Sequence, residues 1–389
     1  MLRAFFVTGS LYPAGAERHS VTVANGLAQR GHECHIVAVK EESPNLIDSI
    51  NVGAGTVRCL AAARYLDRCA VARFAAHIAD IRPNVIVAAN AYALMYSWLA
   101  LRLSGLRIPL VVTYHSNRLL GMKEHLQMLL YRLFFWTATC SVFVCEKQKR
   151  HWLLNGVLSR RNAMIYNGVN LDVFSDRSTT RERSLRRDAL GFSGADYIIG
   201  ISARLRPEKN HIQLVDAVAM LRALGISARV LMIGDGELRE AIESRARALK
   251  VEGDVVITGF QEDVRPYISI CDVVVLCSHT EAFSLAAIEA MAMGKPFVHS
   301  AVGGAAEMIR PGENGYLFPP RDTGALVDRL VRLADRPERE RMGRNARARV
   351  EKMFSETAMI DRYEQLLLDL CRLRTGAKPV AFTAREPSA

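Results

Sequence analysis

Short apolar runs recur along the chain, each closed by a polar or glycine-bearing loop and followed by a stretch of helical period. Leu2 to Thr8 is the first such run and reads as a buried strand. The loop Tyr12 to Arg18 opens a helix carrying Val21, Val23, Ala24 and Leu27 down to Gly31. His35 to Val39 is a second strand, followed by a mixed, alanine-rich helical region through Arg82. Val85 to Ala88 is a strand, Leu94 to Leu103 a helix, and Leu110 to Tyr114 a strand that ends at His115. Strand and helix in alternation, with short turns, predict a parallel, doubly wound α/β sheet.

The pattern restarts after Ile165 to Asn170 and a charged, Ser/Thr-rich stretch, Ser175 to Asp196, which reads as a linker and first helix. Strands are expected at Tyr197 to Ile201, Arg229 to Ile233, Val255 to Thr258 and Val273 to Cys277, with helices near 208–224, 236–249, 284–293 and 323–334. The two halves share no recognisable sequence repeat. The stretch from Arg336 to Lys352, dense in Arg and Glu and entered through Pro337, reads as a solvated helix. Residues 355–374 read as a closing amphipathic helix, and the tail from Thr375 as disordered.

At 389 residues and 50% hydrophobic composition, the chain suffices for two α/β domains with large cores. Its start is too short and too glycine-punctuated for a signal peptide. Two apolar stretches, 85–113 and 126–145, are interrupted by Arg102, Arg107, Pro109 and Arg132, so neither reads as a membrane span. The segment Arg118 to Trp136 is different. It mixes Arg118, Lys123, His125 and Arg132 with many Leu, Met and Phe residues, and suits either an interfacial amphipathic helix or a core helix with a polar edge. The eight cysteines form no CxxC or zinc spacing and read as reduced, mostly buried thiols of a cytosolic protein.

Net charge is +11, and residues 1–175 hold 19 Lys and Arg against 10 Asp and Glu, leaving only +2 for the remainder. The basic half points to an anionic partner, either an anionic membrane surface or an acidic acceptor. No nucleic-acid motif is present, so a nucleic-acid partner is not expected.

The most informative stretch runs from Ser278 to Pro296. It follows the buried strand, and Ser284 has the character of an N-cap for a helix stopped by Gly294 and Pro296. A helix start at the carboxyl edge of a parallel sheet presents free N–H groups and a positive dipole end to phosphate. Glu281 and Glu289 flank it and suit hydroxyl groups. The ligand implied is a phosphorylated one that also carries sugar hydroxyls.

Several further motifs occur in one order: Gly15-Ala16-Glu17-Arg18, His115-Ser116, Asn167-Gly168-Val169, Ala203-Arg204-Leu205 through Glu208-Lys209-Asn210, Gly234-Asp235-Gly236, Gly259-Phe260, Glu281-x7-Glu289, Gly303-Gly304 and Asn314-Gly315. Together, over roughly residues 1–370, the set resembles the retaining glycosyltransferases of family 4. That resemblance implies the GT-B fold: two facing Rossmann-like domains with parallel sheets and an interdomain cleft. It implies an acceptor-binding domain at 1–173, a linker and helix at 174–196, and a nucleotide-sugar-binding domain at 197–354. The closing helix, 355–374, could pack back on the N-terminal domain, with the tail at 375–389.

The resemblance also assigns roles. Arg204 and Lys209 would neutralise the departing nucleoside diphosphate, one as a planar fork and one as a compact charge. Glu289 would hold the ribose and Glu281 the donor sugar. Phe283, Ser284 and Leu285 would offer backbone N–H groups. Gly15 and Ala16 would approach the diphosphate, although the family often has two glycines where this chain keeps one. Gly259 and Phe260 would bind the base, which leaves UDP and GDP undistinguished. His115 would lie against the donor sugar. No nucleophilic carboxylate stands out in the first domain, and the family reading is a front-face transfer with retention. No Asp-x-Asp motif is present, so neither a cofactor nor an essential metal is expected.

The expected function is transfer of a sugar from a UDP- or GDP-linked donor to a glycan or lipid-linked acceptor, in bacterial polysaccharide or lipopolysaccharide synthesis. The expected location is cytoplasmic, including the inner face of the cytoplasmic membrane. A sugar-nucleotide epimerase of similar fold and a non-catalytic nucleotide-sugar-binding subunit are the competing readings. A dehydrogenase is disfavoured because no G-x-G-x-x-G follows the first strand.

Overall fold

The computed structural model describes residues 1–115 and 122–374, so Ser116, the start of the Arg118–Trp136 segment and the tail from Thr375 lie outside the described residues. The chain divides into two units, residues 1–166 with 357–389, and residues 167–356.

The first unit holds β1 (Arg3–Thr8), β2 (Glu33–Ala38), β3 (Val57–Cys59), β4 (Val85–Ala89), β5 (Leu110–Tyr114), β6 (Cys140–Phe143) and β7 (Arg161–Met164). They form one sheet in the order β3-β2-β1-β4-β5-β6-β7, every pair parallel. Alternation along β1 sends Phe5 and Val7 into one core and Ala4 and Phe6 into the other. The first core is completed by Phe74, Tyr96, Phe135 and Trp152. The second is completed by Leu27 and by Met359, Ile360, Tyr363 and Leu367 from the helix Glu356–Arg374. Ile360 sits directly on Gly26, where a side chain would collide with it. The ion pairs from Arg30 to Asp361 (2.6 Å) and Glu364 (2.5 Å) fix that helix at its rim.

The second unit holds β8 (Tyr197–Ser202), β9 (Ala228–Ile233), β10 (Val255–Ile257), β11 (Val273–Leu276), β12 (Phe297–Ser300) and β13 (Gly315–Phe318). Their order is β10-β9-β8-β11-β12-β13, again all parallel. Both units are therefore Rossmann-like α/β sheets with the same winding. Asn167-Gly168-Val169 is a structural joint: the Val169 N–H donates to Phe354 O (2.9 Å), and the Glu356 N–H donates to Val169 O (2.9 Å).

Two expectations change. β3, β7, β12 and β13 were not anticipated, nor was the helix Glu146–Leu154; all are short, and β3, β7 and β13 are edge strands while β12 is a buried strand between β11 and β13. The helix Arg336–Met353 is solvated on one side only, since Met342, Ala346 and Val350 are fully buried at four-residue spacing. Of the cysteines, Cys34, Cys140, Cys145, Cys271 and Cys277 are buried, but Cys59 and Cys69 are exposed. No helix among the described residues is long and apolar enough to cross a membrane.

Buried histidines give the fold a pH dependence. His35, His77, His211 and His299 all titrate below their ordinary value, chiefly because burial disfavours the charged ring. For His211 the value falls to about 4. Neither ring nitrogen of His77 has a partner among the described residues, and its ring stacks on Phe5 at 5.0 Å. Because the folded-state values are depressed, stability is full above the unfolded value near pH 6.5 and is lost as pH falls toward the folded values. Melting followed by circular dichroism should show Tm dropping between about pH 7 and 5, before most carboxylates titrate. His77→Phe should make that slope shallower. A flat Tm over the interval would contradict neutral buried rings.

Candidate active site

In the second sheet the chain runs outward from β8 to β9 and β10, then returns to lay β11 on the other side of β8. The loops after β8 and β11 therefore part to opposite faces, and the crevice between them is where parallel sheets bind ligands.

The loop after β8 is Ala203 to Asn210. Leu205 anchors it: its N–H donates to Asp235 O (3.0 Å), and its carbonyl accepts from the Leu238 N–H (3.1 Å). Gly236 is required by this contact, because a Cβ there would stand 2.5 Å from Leu205 O. With Leu205 turned in, Arg204 is exposed. A single 3-10 turn, Pro207–Lys209, follows and ends at Asn210 in the left-handed region (φ 52°).

That turn presents Lys209 to the loop after β11. Lys209 Nζ donates to Glu281 Oε1 at 2.5 Å, and Ser278 Oγ donates to the same oxygen at 2.7 Å. The two side chains are only 24% and 12% exposed, so their attraction is less screened than on an open surface. The His279 N–H also donates to Glu208 O at 2.7 Å, joining the loops by backbone. From the far side, the Gly304 N–H donates to Ala282 O (2.8 Å). Gly303 lies at φ +51°, and a Cβ there would stand 1.9 Å from Glu281 O, which accounts for the glycine at 303.

The helix Leu285–Ala292 starts immediately beyond. Ser284 caps it, its Oγ accepting from the Ala287 N–H at 3.2 Å. The Phe283 ring is buried against Phe354 at 5.3 Å, so this side chain is packing and only its backbone can serve a ligand. Glu289 lies one turn after Leu285, half-buried. Gly259 and Phe260 follow β10, two strands from β8 and so roughly 10 Å away. Gly259 pairs with Gly234, and Phe260 stands 78% exposed with an open aromatic face. The second unit thus offers two cations, a capped helix start, two carboxylates and an aromatic surface around one sheet edge. Such a set can bind a diphosphate carrying hydroxyl groups.

In the first unit, Gly15 and Ala16 belong to the first turn of the helix Gly15–Gln29 rather than to a loop. Ala14 provides no side-chain cap, and nothing lies within 4 Å of a Cβ added at Gly15. His115 follows β5, and its N–H donates to Asn90 Oδ1 at 3.1 Å. One turn after Gly15, His19 brings the two places together: its ring meets that of His115 at 4.7 Å, and its Nε2 bonds Tyr363 Oη at 2.9 Å. Burial pushes His115 down to about 4 and His19 well below its usual value, so both rings are neutral at physiological pH. His115 Nε2 is buried without a partner among the described residues.

His19, Asn90 and Tyr363 join these clusters without having been expected there, whereas Ser278 opens the stretch already singled out. Only His19 carries a usable signal, its one-turn offset from Gly15. Among the described residues no three His, Cys, Asp or Glu side chains are grouped to hold a metal ion.

Two family profiles match the chain, "Glycosyltransferase Family 4" over residues 13–173 and "Glycosyl transferases group 1" over residues 182–349. The N-acetyl-alpha-D-glucosaminyl L-malate synthase of Bacillus anthracis is 28% identical over 360 residues, covering 89% of this chain and 91% of that one. The UDP-Gal:alpha-D-GlcNAc-diphosphoundecaprenol alpha-1,3-galactosyltransferase of Escherichia coli is 24% identical over 211 residues, 54% of each chain. The crystal structure of Anabaena HepE in complex with UDP superposes with a TM-score of 0.83 at 21% identity, covering 94% of this chain and all of that one, a likeness of fold.

Gly303→Ala should displace the backbone under Glu281 and cost about 2 kcal/mol, read by denaturant unfolding. Parental stability in that variant would refute the close approach.

Proposed function

The chain belongs to the family 4 glycosyltransferases, with the GT-B fold, and from that premise we propose that it transfers a sugar with retention from a UDP- or GDP-linked donor to a glycan or lipid-linked acceptor. The observation that carries this reading is the Lys209–Glu281 pair, set between adjacent strands beside a helix start. In this reading Lys209 and Arg204 hold the diphosphate, with Ser284 and Leu285 N–H groups as further donors. Glu281 accepts from a sugar hydroxyl, and Glu289 from the ribose. Gly259 and Phe260 take the base. Gly15 and Ala16 offer helix-start amides to phosphate, and neutral His115 hydrogen-bonds the donor sugar.

As the bond from the anomeric carbon to the phosphate oxygen breaks, the new bond to the acceptor oxygen forms on the same face. The acceptor's proton passes to the leaving phosphate. Charge grows on that diphosphate, so the cations at Arg204 and Lys209 act mainly in the transition state. The reaction as proposed uses no divalent cation. Relatives support a role in bacterial cell-surface polysaccharide or lipopolysaccharide synthesis. The Escherichia coli relative is named for a UDP-linked donor and a lipid-diphosphate acceptor, and another relative, from Staphylococcus aureus, for capsular polysaccharide biosynthesis.

A screen of nucleotide release across UDP- and GDP-sugars identifies the donor, and NMR of the product's anomeric coupling reads retention. Lys209→Ala and Glu289→Ala should each lower turnover by about 100-fold or more while the circular dichroism spectrum is unchanged. Near-parental turnover in either sinks the assignment. EDTA should leave the rate unaltered. Since His115 titrates at about 4, its ring should add no inflection to the rate profile near pH 6.5, and an inflection there that vanishes in His115→Gln would refute the neutral-ring role.

A further inference from the structure

The helix Met122–Thr137 has two apolar faces. Met128, Tyr131 and Phe135 point into the first unit's core. Met122, Leu126, Leu129, Leu133 and Trp136 point the other way, between 51% and 88% exposed. Their spacing alternates four and three residues, which lines them up as one stripe along the helix. The stripe extends onto the next connection, because Trp136 Nε1 donates to Gly156 O at 3.0 Å, beside Leu154, which is 88% exposed. A helix that served only the core would need one apolar face, and large contiguous exposed patches mark interaction sites.

At the end of the stripe, next to Thr137, lies an open cavity of about 600 Å³ whose walls include Arg107, Arg160 and Arg161 and no carboxylate. All three arginines are exposed. They sit at the edge of the sheet where β5, β6 and β7 begin, opposite the edge that carries His115. The cluster is therefore separate from the candidate active site.

We propose that this face docks the protein on an anionic lipid bilayer, the leucine stripe and Trp136 entering the interface and the three arginines meeting lipid phosphates. The choice of occupant rests on charge. A two-fold contact with the stripes side by side and parallel would bring the arginines of two copies together. An anionic surface complements them, at about 1 kcal/mol per basic residue near the membrane. Leucine and tryptophan beside arginine is also the composition of an interfacial helix. The proposal goes beyond the transfer reaction, and its test needs no turnover, so its failure would leave the reaction untouched.

The test is co-sedimentation with vesicles of phosphatidylcholine alone or mixed with phosphatidylglycerol. The protein should bind the mixed vesicles, bind poorly to the neutral ones, and dissociate as salt rises. Replacing both Leu129→Glu and Leu133→Glu should abolish binding, with the melting curve retained. Arg160→Ala and Arg161→Ala should each weaken binding about five-fold. The arginines are exposed and tolerate replacement, so they remain decisive if the glutamate variant misfolds. Equal binding to both vesicle types, or to neither, overturns the proposal. So does a dimer in sedimentation velocity that Leu129→Glu dissociates.

Discussion

One ion pair, Lys209 with Glu281, holds together two loops that the sheet sets side by side without itself connecting. Hydrogen bonds of a parallel sheet end with the strands. Beyond β8 and β11 the chain departs to opposite faces, and nothing in the ladder keeps the departing loops in register. The pair does so, with the His279–Glu208 backbone bond beside it, while the Gly303-Gly304 turn supports Glu281 from below. The same carboxylate also takes the Ser278 hydroxyl, so its position is set from three directions. A partly buried charged pair is a costly way merely to tie loops. In the function proposed above, its value would lie in holding a cation and a carboxylate at fixed places before any ligand arrives, which is what electrostatic preorganisation requires.

The two sheets share one winding although their sequences do not repeat. The reason is geometric: right-handed crossovers between parallel strands leave few ways to build outward from a first strand and return past it. Each unit then presents its chemistry at the carboxyl edge. They use that edge differently. The second unit gathers charge there; the first gathers histidines that burial keeps neutral, His19 and His115, locked by Tyr363 and Asn90.

Much of this was legible in the chain. Long apolar strands such as Leu110–Tyr114 are buried on both faces and announce themselves, and Ser284 followed by a helical run is a local capping signal that the structure keeps. What failed was of two kinds. Val57–Cys59 is three exposed residues at a sheet edge, and Gly315–Phe318 begins with a glycine; neither carries a pattern longer than chance. Contacts between distant segments were also silent. Tyr363 reaches His19 across 344 residues, and no periodicity encodes that. Gly15 and Ala16 were expected in a loop that opens a helix, but the helix already begins at Gly15, without a side-chain cap. The arginine stretch at 336–352 hid a buried stripe because charge dominated its composition.

The helix Glu356–Arg374 finishes a core that opens with the chain's second residue. During synthesis, Leu2, Phe6 and Leu27 must therefore wait, one side uncovered, while the whole of the second unit emerges and has the opportunity to fold. Domains generally fold as units in order of emergence. Here the N-terminal one is obliged to finish last. A nascent chain stopped anywhere before Ile360 would expose the apolar floor that residues 359–370 cover, and would be a client for chaperones rather than a working half-enzyme.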